Sequence, residues 1–271
     1  MTRIRVIPVL LLARRGMVKT EGFARPRYLG DPINAVKIFS EKMTDELILL
    51  DIEATAKGRV DFDWLEDIVS EAFMPIAYGG GVDSIGQCEQ LFRRGVEKIV
   101  INTAACEQPQ LIADMAERFG SQSVVVSIDV RRNLWKQEKA YIKGGRKETK
   151  FSPVDLARKS EDLGAGEIFL TSIEREGTFE GYDVELLRSV CSVVGVPVIA
   201  NGGAGSIKDF EQAVVGGGCS AVAAGSMFVF AAKGEGVLIS YPSESELQEH
   251  FWSHLTKASQ YGSNNDSGCS R

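Results

Sequence analysis

An aspartate, Asp129, closes the apolar run VVVSI. A lone carboxylate at the end of a buried strand is costly without a partner. Either it pairs with Arg131 or Lys19, or it is a general acid or base whose pKa its surroundings raise; the second reading is preferred. Asp51 and Glu176 also stand at or just beyond the ends of apolar runs and are weaker candidates. Two glycine-rich loops give a second signal. Gly79-Gly80-Gly81 precedes a helical segment from Ile85, and Gly202-Gly203-Ala204-Gly205 precedes one from Ile207. Such loops let backbone N–H groups converge on an anion. Each has a following strand end with hydroxyls or amides: Asn102-Thr103 for the first, Gly225-Ser226 for the second, with Ser172 and Gly177 adding to the second. Tight turns alone account for one such loop. Two related loops with polar partners favour a ligand carrying a phosphate at each end. A third signal is a set of charges, Arg5, Glu46, Lys98 and Glu167, each at or near the start of a strand-like run. They sum to zero and can close a ring of ion pairs, the form in which buried charges survive. The alternative is four unrelated solvated residues.

The elements that must position these residues alternate regularly. Strand-like runs cover 6–12, 46–52, 75–78, 98–102, 124–129, 167–173, 197–201 and 221–224. Amphipathic helical stretches lie between them at 32–42, 62–72, 85–94, 109–119, 153–163, 184–194 and 207–215. Strand–helix alternation predicts a parallel sheet, and eight units predict a closed (β/α)8 TIM barrel over residues 1–242. The competing open doubly wound sheet lacks its GxGxxG fingerprint. The chain also repeats itself. Residues 75–95 and 197–217 share 8 of 21 positions, and DELILLDIE at 45–53 aligns with GEIFLTSIE at 166–174. This predicts two half-barrels of four strands each. In a parallel barrel ligands bind at the C-terminal strand ends, which places Asp51, Asp129, both glycine loops and their partners at one mouth. The charged set falls at the opposite rim. Residues 131–150, with Trp135, Tyr141 and Gly144-Gly145, predict a hairpin above the fifth strand. A C-terminal helix is expected over 243–258 and a disordered tail over 259–271.

Composition bounds the rest. The 271 residues carry 31 Lys+Arg against 37 Asp+Glu, a net charge of −6, with 44% hydrophobic and 25% charged residues. That is ordinary globular usage, and it argues against nucleic-acid binding. No apolar run approaches the ~20 residues of a membrane span. The short apolar stretch near the N-terminus has basic flanks like a signal sequence, but Pro8 interrupts it and no cleavage site follows. The two histidines, His250 and His254, lie near the C-terminus. Ser-His-Asp or Cys-His nucleophile systems and histidine zinc sites are therefore not expected, and no metal or cofactor is called for. The five scattered cysteines contain no CxxC and suggest a reduced, cytoplasmic chain.

Specific words in the sequence carry a resemblance. RVIP at 5–8, VK at 18–19, GDP at 30–32, DEL and LDI within 45–52, GGG at 79–81, EKIVINTAA at 97–105, FGSQSVVVSID at 119–129, GAGEIFLTSI at 164–173 and GGAGS at 202–206 resemble the cyclase subunit of imidazole glycerol phosphate synthase over roughly residues 3–230. The resemblance implies a ribulose-phosphate-binding barrel acting as a lyase-type synthase subunit. Its substrate is a ribulosyl aminoimidazole carboxamide nucleotide, which suits two anion sites. It also implies a glutaminase partner docked at the N-terminal face, whose ammonia passes a charged gate matching Arg5, Glu46, Lys98 and Glu167. Neutral ammonia suits an apolar bore, because ammonium pays desolvation.

One departure alters the expectation. The family carries an Asp in a P-C-L-D stretch at the end of strand one, and here the stretch is Pro8-Val9-Leu10-Leu11. Leu11 cannot transfer a proton, and losing a positioned acid or base costs ~10²–10⁴-fold. The strand-six loop reads Glu176 where the family has Asp; Asp129 and Lys19 remain. This pattern, with the stretch 28–42 and VLISYP at 237–242, resembles a paralogous branch found in surface-polysaccharide clusters beside a sugar amidotransferase. Three readings follow. The chain supports glutamine-dependent amidation of such a sugar, forming an acetamidino group. Or it is a working cyclase of histidine biosynthesis. Or it is a non-catalytic subunit that docks and activates a glutaminase.

Overall fold

The computed structural model describes residues 3–233 and 236–256; the expected tail over 259–271 lies outside them, as do the last two residues of the helix expected over 243–258. Twelve strands are present among the described residues: β1 (Arg5–Ala13), β2 (Gly16–Glu21), β3 (Ala24–Gly30), β4 (Leu47–Asp51), β5 (Ile76–Gly79), β6 (Lys98–Ile101), β7 (Val124–Arg132), β8 (Glu138–Ile142), β9 (Lys147–Glu148), β10 (Glu167–Ser172), β11 (Val198–Asn201) and β12 (Ala221–Ala224). Eight of them pair parallel in the order β1-β4-β5-β6-β7-β10-β11-β12, and β12 returns to β1 with Arg5 opposite Ala221. The sheet is therefore closed, and the fold is a (β/α)8 TIM barrel. The helices between the strands are α1 (Pro32–Glu41), α2 (Ala54–Lys57), α3 (Phe62–Val69), α4 (Ile85–Arg93), α5 (Thr103–Glu107), α6 (Gln110–Phe119), α7 (Pro153–Asp162), α8 (Val184–Cys191), α9 (Ile207–Glu211) and α10 (Ser226–Val229).

The local sequence explains where helices start. Asp31 accepts from the Ile33 N–H at 2.9 Å ahead of Pro32, and Ser152 accepts from the Asp155 N–H at 3.1 Å ahead of Pro153. Each pairs a capping side chain with a proline at the first helical position, where no N–H is needed. Strand alternation then sorts apolar side chains into two layers. Val6, Leu10 and Leu12 of β1 face the helices, while Ile7, Val9 and Leu11 face the bore. The bore layer continues around the barrel through Ile48, Ala77, Val100, Val125, Phe169, Ile199, Ala221 and Ala223.

Several elements differ from the sequence expectation. Strand one does not end at the mouth. It runs to Ala13, turns through Arg14 and Arg15, and returns as β2, with Leu11 opposite Val18. Both turn residues have positive φ, 51° and 55°, the geometry of a two-residue hairpin turn that normally takes Asn or Gly. The conformation is held by contacts to the next unit: Arg15 makes two bonds to Asp61 at 2.9 and 3.1 Å, and the Arg14 N–H donates to Glu53 at 3.1 Å. The stretch 207–215 divides into α9 and a wider π turn, Gln212–Gly216. Beyond the barrel, α11 (Glu244–Leu247) and a π turn, Gln248–Trp252, pack against it. Trp252 donates to the Ile4 carbonyl at 3.0 Å and Tyr241 to the Val6 carbonyl at 2.9 Å, tying this segment to the start of β1. The cysteines among the described residues are free, and the sulfurs of Cys191 and Cys219 lie 3.7 Å apart, closer than their sequence scatter suggested.

Candidate functional site

The bore has two chemically different ends. At the N-terminal rim Arg5 is paired with both Glu46 and Glu167, and Lys98 bridges the same two carboxylates at 3.0 Å each. Opposite charges alternate around this ring. Glu46 and Glu167, 3% and 8% exposed, occupy equivalent positions of the internal repeat, so the twofold repetition supplies the two acids. Immediately above the ring the bore is apolar.

At the C-terminal mouth Asp129 points inward from β7 and is 8% exposed. Ser127, two residues earlier and on the same face, donates to its Oδ1 at 3.1 Å. Neither Arg131 nor Lys19 pairs with it. Arg131 stacks over Tyr141 and donates to backbone carbonyls, and Lys19 pairs with Glu176. Burial pushes the Asp129 carboxyl up to about 7, with the Ser127 hydrogen bond pulling the other way. A group near 7 can accept or release a proton at neutral pH. The neighbouring inward positions are also polar. Thr171 on β10 lies level with Asp129 and with Asn201 on β11. The Asn201 amide donates to Thr171 Oγ1 at 3.1 Å, and its Oδ1 has no protein partner among the described residues. Across the mouth, Leu11, Ala13, Val18, Leu50 and Ile52 form an apolar wall. The mouth thus has a polar side and an apolar side, and Leu11 belongs to the apolar one.

Lys19, on β2, is 5% exposed and ion-paired with Glu176 at 5%. Burial pushes the ammonium down to about 7. Its Nζ lies against Gly225, where a Cβ would approach to 2.7 Å. The Gly22 N–H donates to the Glu176 carbonyl at 2.8 Å, and a Cβ on Gly177 would meet the Thr20 carbonyl at 2.7 Å. The β2–β3 hairpin is therefore seated on the loop after β10. This brings Lys19, Glu176, Gly177, Gly225 and Ser226 together, residues far apart in sequence.

The second glycine loop packs too closely for side chains. Gly203 has φ +112°, and a Cβ there would lie 2.1 Å from the Gly181 carbonyl; one on Gly202 would lie 2.6 Å from that of Ser172. Ser172 contributes this backbone contact, and its side chain faces the helix side of β10, opposite to the Thr171 face. Asp209 takes the N–H groups of Gly205 and Ser206 at 2.9 and 2.8 Å, so these two donors are already bonded within the loop.

The first loop shows the same close approach. Gly80 has φ +127°, with the Asp51 carbonyl 2.4 Å from a built Cβ, and Gly81 sits against Ala54. Its expected partners are committed elsewhere, however. Asp51 alternates with Leu47 and Leu49, away from the bore, and accepts from the N–H groups of Glu53 and Ala54 at 2.9 and 3.0 Å; burial raises its pKa. It holds the turn that leads into α2 and does not point into the mouth. Asn102 donates its amide to the carbonyls of Ser127 and Tyr141, both at 3.1 Å, and Thr103 accepts from the Lys143 N–H at 3.1 Å. Both brace the β8 hairpin, which folds back over the end of β6. Ser127 and Thr171 do not stand out as site residues in the sequence, and Asn201 does so only as the end of its strand; their signal is parity with Asp129 and with bore-facing neighbours.

A family model described as histidine biosynthesis protein matches residues 5–233. A relative from Pseudomonas aeruginosa, named "Putative imidazole glycerol phosphate synthase subunit hisF2", is 50% identical over 252 residues, covering 91% of this chain and 99% of that protein. One from Leptospira interrogans with the corresponding HisF name is 42% identical over 93% of this chain and 100% of its own length. A Pyrobaculum aerophilum protein named imidazole glycerol phosphate synthase subunit HisF is 44% identical over 84% of this chain and 90% of its own. The chain belongs to the histidine biosynthesis protein family and is HisF-like.

Proposed function

We propose that this barrel receives ammonia from a glutaminase at its N-terminal rim, passes it through the apolar bore and releases it at the C-terminal mouth. There it supports amidation of a phosphorylated sugar of surface-polysaccharide synthesis, forming an acetamidino group. The observation that carries the specialised reading is Leu11: it packs into an apolar wall opposite Asp129, where proton-transfer chemistry of the cyclase type needs a second carboxylate. The paired ring of Arg5, Glu46, Lys98 and Glu167 is retained, which supports an inlet kept in use. On the same rim, Phe73 is 92% exposed beside a cleft of about 460 Å³ formed by Val69, Met74, Arg93 and Glu97. These features suit a docked glutaminase.

In the proposed site Asp129 holds or moves a proton, Lys19 with Glu176 positions the ligand, and the glycine loops with Ser226 take its phosphates. A cyclase activity is the second reading, favoured by the full-length HisF relatives and by Asp129 near neutral pKa. One experiment separates the two. The purified chain is given the ribulosyl aminoimidazole carboxamide nucleotide with saturating ammonium, beside a Leu11→Asp variant. The specialised reading expects no cyclisation by the natural chain and a gain in the variant. Turnover by the natural chain at the rate of a complete cyclase overturns it. The conduit itself is tested with the glutaminase and amidotransferase present. Glutamine-dependent sugar amidation that proceeds equally well without this chain overturns the delivery role.

A further inference from the structure

The base of the hairpin above the fifth barrel strand is braced by Asn102 and Thr103, but its tip takes no part in those contacts. β7 leaves the barrel wall after Val130, and Arg131 and Arg132 pair only with β8. The turn beyond them is firmly built. Asn133 accepts from the N–H groups of Trp135 and Gln137, both at 3.0 Å, and exchanges backbone bonds with Lys136 and Gln137 at 2.9 Å. This hydrogen-bonded tip holds Leu134 at 96% and Trp135 at 77% exposure. Two adjacent large apolar side chains held in water on a hydrogen-bonded turn form a small apolar patch rimmed by polar residues, the form an interaction surface takes. The charge around them is equally unusual. Residues 131–150 carry eight Lys or Arg against two Glu, a net +6 on a chain whose total is −6; of these, Arg132 pairs with Glu138 and Asp183, and Lys143 and Lys147 pair with Glu107. Beside the tip, Lys136 and Lys139 make no ion pair among the described residues. Tyr28 on β3 and Leu238 after α10 are also exposed, at 68% and 55%, and Arg25 makes no ion pair among the described residues.

The geometry points to a peripheral docking surface for an anionic membrane, with Leu134 and Trp135 entering the headgroup layer and the flanking lysines meeting lipid phosphates. The convex tip, two apolar residues deep and without a surrounding groove, fits an interface that yields to it. Trp is suited to such a boundary, with an apolar body and an N–H at its edge. Lysines near an anionic leaflet add electrostatic attraction that falls off within a Debye length. No helix among the described residues is long and apolar enough to cross a membrane. A cationic rim that only steers a phosphorylated ligand needs Lys136 and Lys139 but has no use for an outward Leu and Trp.

The test uses the full chain, sedimented with vesicles of phosphatidylcholine alone or carrying about 30% phosphatidylglycerol. The expected result is binding to the anionic vesicles, at least ~10-fold weaker binding to neutral ones, and a further loss of ~10-fold or more in a Leu134→Ser, Trp135→Ser variant. That variant keeps its thermal midpoint, since neither side chain is packed. Absence of binding to anionic vesicles overturns the proposal. So does a double variant that binds as the parent does, which would leave only the steering rim. Because the assay involves no ammonia and no glutaminase, its outcome is independent of the proposed function.

Discussion

Replacing Asp129 by Asn should stabilise the protein, and do so more as the pH rises. Burial raises the carboxyl from its ordinary 3.8 to about 7. Below about pH 4 the group is protonated in both folded and unfolded chains, and the favourable contribution of the neutral form is fully present. Between there and pH 7 the unfolded chain loses the proton while the folded one keeps it, so that contribution is lost as the pH rises. Above 7 a buried charge persists. At about 1.4 kcal/mol per pH unit, the full cost is about 4 kcal/mol. Water entry and relaxation reduce it, so about 2–4 kcal/mol is expected. The amide of the Asp129→Asn variant can still accept from Ser127 and carries no charge. Its advantage over the parent should grow by roughly 2 kcal/mol between pH 5 and pH 8.5. Lys19, pushed down to about 7, acts in the opposite sense: its contribution is present above its ordinary 10.5 and is lost as pH falls towards 7. It is common to both proteins and cancels in the difference. Urea unfolding at several pH values measures that difference. A constant offset, or a variant less stable than the parent at pH 8.5, would refute the argument that Asp129 is an unpaired buried acid.

Other expectations are simpler to read. Lys98→Met leaves Glu46 and Glu167 with only Arg5, and denaturant titration at pH 7 should show a loss of about 3 kcal/mol. In a glutaminase complex the same variant should release ammonia to bulk water instead of to the mouth, measured as glutamine hydrolysed per product formed. Phe73→Asp should leave stability within about 0.5 kcal/mol, because the ring is exposed, while weakening glutaminase binding ~10-fold or more by calorimetry. Gly203→Ala forces a Cβ to within 2.1 Å of a carbonyl oxygen and should cost at least about 2 kcal/mol and most inorganic phosphate binding. Gly86→Ala, on open helix surface, should instead stabilise by up to about 1 kcal/mol, with denaturant titration measuring both glycine variants.

The sequence by itself determined the barrel. Strand and helix periods differ, the eight alternations are countable, and the repeat fixes which residues are equivalent, down to Glu46 matching Glu167. It placed Asp129 near the mouth end of the barrel wall, although β7 runs on to Arg132 to pair with β8, and it placed the glycines at turns, because both follow from local chain geometry. It could not determine where polar atoms point. Asp51 reads as a mouth residue until strand parity turns it towards α2, and Asn102 reads as a phosphate ligand until β8 folds over and takes its amide. The pairing of Lys19 with Glu176 spans 157 positions and exists only because the β2–β3 hairpin is seated on the loop after β10. The hairpin itself was hidden, since Arg14 and Arg15 are poor turn residues and are held in place by Glu53 and Asp61 of a different βα unit. Leu11 shows both sides of the division. The sequence supplied an apolar residue where the resemblance leads one to expect an acid; only packing, through Val18, Leu50 and Ile52, made it part of a wall across the mouth from Asp129, which has no partner cation among the described residues.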